Sequence, residues 1–138
     1  MRTKLSALLA SVGVVLSGAL ISAHHAFSAE FDVKRPVKLE GTVTKMEWVN
    51  PHSWIHMDVT GPDGKTVRWK VEGGAPNALL RRGFSKESLP AGSKIVVEGY
   101  QAKDGTTRMN GGYLMFSDGK KLFMGSSGTG APDEQPNK

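Results

Sequence analysis

Between Trp54 and Glu72 the chain alternates apolar and polar residues on both sides of a turn, and this pattern constrains the fold more than any other stretch. Ile55, Met57 and Val59 alternate with Trp54, His56 and Asp58. Gly61-Pro62-Asp63-Gly64 supplies turn chemistry, and Val67, Trp69 and Val71 then alternate with Arg68, Lys70 and Glu72. Pairing Val59 with Val67 aligns the two apolar faces. That register sets Asp58 opposite Arg68, His56 opposite Lys70 and Trp54 opposite Glu72.

The flanking segments extend the β reading. Val37, Leu39, Gly41 and Val43 share one face, whereas Met46 and Trp48 fall on the other. A phase slip around Thr44-Lys45 predicts a bulge or sharp bend in a long first strand. Pro76-Asn77-Ala78-Leu79-Leu80-Arg81-Arg82-Gly83 reads as a short helix, with proline in its first turn, cations in its last and a glycine stop. Ile95, Val97 and Gly99 mark a fourth strand, Asp104-Gly105 turns it, Gly112 to Phe116 makes a fifth, and Lys121 to Met124 adds a short piece. A coiled first strand and a helix between strands three and four are features of OB barrels. The expected fold is therefore mainly β, a five-stranded OB-like barrel over residues 37–124. A chain of 138 residues without internal repeats has room for one such core.

Ahead of it, Met1-Arg2-Thr3-Lys4 leads into an apolar run from Leu5 to Ile21, broken only by small residues. This reads as a signal peptide, residues 1–23, cleaved after Ala23, and the expected location is the periplasm. Cleavage after Ala29 is the rival and an uncleaved anchor the alternative; on the first reading the chain meets the membrane only through its leader. Residues 24–36 form an arm, and residues 125–138, which lack any large apolar side chain, read as a disordered tail. The net charge of +5 is scattered among Asp and Glu, which gives no concentrated basic face and no expectation of a nucleic-acid partner. With no cysteine, disulfides, thioether-linked haem and iron–sulfur clusters are excluded.

All four histidines lie in two places: His24-His25 at the start of the processed chain, and His52 with His56 around the start of the second strand. An N-terminal histidine offers its amine and its imidazole to one metal, a chelate suited to copper(II). His52 and His56, roughly 13 Å apart along a straight strand at about 3.3 Å per residue, cannot chelate together unless the chain folds back. Either could join His24 and His25, so copper or another transition metal is a candidate cofactor on these four residues. Ordinary roles compete: an arm anchored by His25, a loop hydrogen bond from His52, an outer-face position for His56.

Trp48 and Trp54 flank the Asn-Pro-His loop and with its Asn50 form the candidate ligand-binding patch, whereas Trp69, in phase with Val67 and Val71, is expected in the core. Such a patch suits an oligosaccharide, a peptide or a protein partner. Catalysis has no positive sign: no GxSxG, HExxH or P-loop motif is present. Spacing places no second carboxylate beside Glu72. A copper-dependent oxidase rests on the N-terminal histidine alone. The expectation is a non-enzymatic binding or accessory protein for a small ligand or an envelope partner.

Ala23-His24-His25-Ala26-Phe27, Glu47-Trp48-Val49-Asn50-Pro51-His52-Ser53-Trp54 and Pro76-Asn77-Ala78-Leu79-Leu80-Arg81-Arg82-Gly83 together resemble a family of small exported bacterial proteins known only as a domain of unknown function. The likeness runs from the arm to about Gly125. It implies export and a compact β-rich domain, and it brings no catalytic residues with it. Ala26 stands where relatives are expected to carry serine more often.

Overall fold

The computed structural model describes residues 26–126. The leader, His24, His25 and residues 127–138 of the expected tail lie outside that range. Residues 26–30 are helical and lead into β1 (Phe31–Glu47). There follow β2 (Trp54–Thr60), β3 (Thr66–Glu72), a six-residue helix α1 (Pro76–Arg81), a 3-10 turn (Lys86–Ser88), β4 (Lys94–Ala102), β5 (Arg108–Phe116) and β6 (Lys121–Phe123). Among the described residues no helix is long and apolar enough to cross a membrane.

The hairpin of β2 and β3 has the register its alternation predicts: Val59 faces Val67, Asp58 faces Arg68, His56 faces Lys70 and Trp54 faces Glu72. Arg68 clamps Asp58 with two hydrogen bonds, at 2.8 and 3.0 Å. The predicted slip in β1 is a register shift between Val43 and Lys45. On one side of it Pro36 to Thr42 pair with β4, and Thr42 to Glu47 pair with β2, so the long strand serves two neighbours in turn. α1 has no side-chain N-cap; it buries Ala78 and Leu79, and the chain leaves it through Gly83 at φ +81°.

The expected five-stranded OB-like barrel is not what the chain builds. Six strands form one mostly antiparallel sheet in the order β3-β2-β1-β4-β5-β6, and the hydrogen-bond ring does not close evenly. β3 returns to β5 only through a parallel contact at Lys70 to Glu72 against Arg108 to Asn110. The reason lies in β5, one of whose edges is taken by β4 while the other is divided between two strands. Its first residues pair with β3, and Tyr113 to Met115 pair with β6. A β-barrel assignment fails on the same ground.

Where the ring closes poorly, a side chain fills the gap. Met124, fully buried, lies so near Gly73 and Gly111 that a Cβ at either position would come within 2.9 Å of its Cε or Sδ atom. Its amide donates to the Gly112 carbonyl and its carbonyl accepts from Gly74, both at 2.8 Å. The rest of the core is Leu39, Val43, Ile55, Met57, Val71, Leu79, Phe84, Ile95, Val97, Met109 and Leu114 among others. Each large side chain buried there contributes about 1.5–3 kcal/mol.

Candidate functional site

The outer face of the β2, β3 and β5 strands collects polar side chains because register puts them there. Trp54 opposes Glu72 in the hairpin, and Glu72 opposes Asn110 across the parallel contact, as Lys70 opposes Arg108. Residues opposite one another in a sheet project to the same side. The hairpin ladder runs on past Trp54: the Gly73 amide donates to the Ser53 carbonyl at 2.9 Å, and the Ser53 amide and hydroxyl donate to the Gly74 carbonyl at 3.0 and 2.9 Å. This buried link, just after the cis Asn50–Pro51 peptide, holds His52 beside Glu72.

Over this face lies the N-terminal arm. Ala26, Phe27, Glu30 and Phe31 close one side of a cavity of about 440 Å³ whose other walls include His52, Trp54, Glu72, Arg108 and Asn110. The arm is tied down by Arg108, 3.2 Å from Glu30, and by Lys103, whose amide donates to the Glu30 carbonyl and whose ammonium donates to the Ser28 carbonyl. Phe27 packs on Phe31 and edge-on to Tyr100, with ring centroids 5.8 and 6.2 Å apart.

The electrostatics follow from burial. Glu72 is only 8% exposed, and loss of hydration pushes its carboxyl above the ordinary glutamate value, with Glu30 adding like charge. The charges of His52, Arg108 and Lys70 act in the opposite direction without reversing the shift. His52 Nδ1 lies 3.2 Å from Glu72 Oε1 and 3.3 Å from Ser126 Oγ. Because both contacts fall on the same ring nitrogen, the imidazole cannot relay a proton from Ser126 to Glu72 as a hydrolytic triad requires. What the arrangement does offer is a mixed lining: the ring of Trp54, with Lys70 Nζ 4.2 Å from its centroid, beside a buried carboxyl and an amide.

The candidate residues from the sequence part company here. His52 and Trp54 reach the cavity together with Pro51, and Asn50 is exposed on the loop before it. Trp48 faces elsewhere and packs on Phe84 at 6.0 Å against the core; Trp69 is half-buried against the same core. His56 turns to Glu47, its Nε2 3.3 Å from Oε2 and enclosed without a well-aligned hydrogen bond. Among the described residues no three His, Cys, Asp or Glu side chains form a group able to hold a metal ion. The metal-binding expectation on four histidines thus gains no support. His52 and His56 take different carboxylates, and His24 and His25 lie outside the described residues.

A family model matches residues 11–111 of the chain, more than half its length, and is described as a family of unknown function, DUF6152. The chain belongs to this family. No curated protein matches this DUF6152 chain. The matched span runs through the arm, His52, Trp54, Glu72, Arg108 and Asn110, so in this DUF6152 member every cavity wall except Ser126 falls within it.

Sequence reading missed Phe27, Glu30, Arg108 and Asn110. Arg108 and Asn110 join the site only through the parallel contact of β3 with β5, for which a local pattern carries no signal. Glu72 was visible, and the carboxylate that spacing could not place beside it is Glu30, brought in by the arm.

Proposed function

We propose that this DUF6152 protein is an exported, non-enzymatic binding protein whose ligand seats in the cavity between the arm and the outer face of β2, β3 and β5. The observation that carries the reading is Asn110. It is 5% exposed, it lines the cavity, and its register with Glu72 turns its side-chain amide to the same face. A side-chain amide at a cavity wall offers a ligand both a donor and an acceptor. A cavity of about 440 Å³ with a few converging polar groups fits a small molecule. Trp54 supplies the apolar contact, and His52 with Glu72 supplies a donor and an acceptor at its floor.

The test is a nitrogen-15 NMR titration of the processed protein with three defined probe sets: monosaccharides, amino-acid amides and small aromatic alcohols. The expected result is that one set shifts both the Trp54 indole and the Asn110 side-chain amide, and that Trp54→Ala abolishes the effect. No shift at either group with any set overturns the reading. Copper(II) is titrated in parallel. Shifts confined to copper and lost on deleting His24 would also overturn the reading, in favour of the histidine arm.

A further inference from the structure

On the far side of Phe27 lies a second cavity, of about 490 Å³, across the outer face of β1, β4, β5 and β6. Phe27 and Asn110 line both cavities. The new walls include Tyr100, Tyr113 and Phe123, and the two tyrosines are 37% and 38% exposed. Tyr113 and Phe123 meet edge to face with centroids 5.2 Å apart, and Lys121 Nζ lies 4.5 Å from the Tyr113 centroid.

We infer that the two cavities are adjoining subsites for one elongated ligand, a neutral oligosaccharide that passes Phe27 and is held by the Asn110 amide; this rests on the binding reading above. Three observations select that class. First, the lysine and the arginine on the walls are each paired, Lys38 with Glu98 and Arg108 with Glu30 at 3.2 Å, and Glu72, pushed toward its neutral form by burial, contacts the His52 imidazole at 3.2 Å. Paired charges still offer hydrogen-bond donors and acceptors to hydroxyls, but they present no unbalanced charge to a charged ligand. Second, sugar rings carry apolar C–H faces that stack on aromatic rings, and Trp54 on one side and Tyr100 and Tyr113 on the other supply such rings. Third, an extended peptide that adds to a sheet needs a free strand edge. At the centre of the second cavity's floor β4 is paired with β1 and β5, and β5 with β4 and β6, so these two strands present a face and no open edge.

The experiment is calorimetric titration of the processed full chain with cello- and chito-oligosaccharides of one to six units, and with a neutral hexapeptide. Affinity for one series should rise on the order of tenfold or more between one and four units as the second cavity fills. Tyr100→Ala and Tyr113→Ala should erase that gain while leaving binding of the single unit in place. Both side chains lie at the surface, and melting curves check that the variants fold. Affinity independent of length, or a gain insensitive to both tyrosine substitutions, overturns the second subsite. If Trp54-dependent binding of one unit persists in that case, the first cavity stands alone. Binding of the hexapeptide but of no sugar overturns the ligand class. Absence of shifts at Trp54 and Asn110 with every NMR probe overturns the first reading as well, so the two failures are separable.

Discussion

With 8% of its surface exposed and Glu30 near it, Glu72 loses hydration on folding and gains like charge. Its carboxyl therefore titrates above the ordinary value of 4.5 in the folded chain. At lower pH it is protonated in both states, and no penalty exists. As pH rises, the unfolded chain releases the proton first, so stability falls until the pH passes the folded-state value. Glu72→Gln removes this titration and keeps the shape. The variant should be more stable than the wild type at pH 7, by about 0.5–2 kcal/mol. The two melting temperatures should converge below pH 4.5, which a pH series of thermal melts reads directly. Glu47 has the opposite sign. The hydrogen bond from Lys45, and after it the close contact with His56, bring its carboxyl down to about 2. The stability it supplies is present above pH 4.5 and is lost as pH falls through 2. Glu47→Gln should melt lower than the wild type at neutral pH and match it in strong acid, as followed by circular dichroism.

Among the elements, the β4–β5 pair tolerates no side chain at Gly99. A methyl group there would run into the backbone carbonyl of Asn110, next to a register shift in the same pair. Gly99→Ala should cost about 3 kcal/mol or more, at the upper end for overpacking, and should disturb the Asn110 amide resonance together with the denaturation midpoint. Elements of this kind divide by what a linear sequence records. The β2–β3 register, the slip in β1 and the Gly83 stop were legible, because each depends on neighbours a few residues apart: alternation, turn chemistry and positive φ. The division of one β5 edge between β3 and β6 was not, since both partners depend on how the whole sheet coils. That one division replaced a regular barrel with an uneven ring. It also carried Asn110 beside Glu72, a placement that no local pattern could signal.

At the scale of the molecule, Met124 joins what the strands leave apart, with Gly73 and Gly111 making room for its side chain. Met124→Ala would leave a void at the poorest seam of the ring. It should lower stability by about 2–5 kcal/mol in urea titration, as core truncations do. Because Met124 also hydrogen-bonds to Gly112 and Gly74 through its backbone, the strand pairing should survive, so circular dichroism should keep its β signature.

Phe27 is a single ring that forms part of two chambers. Anything that tilts it to fit one occupant alters the shape offered to the other, and thermodynamic linkage makes that influence equal in both directions. A compound too short to span the pair would therefore still be sensed on the opposite side, through the wall the two rooms share.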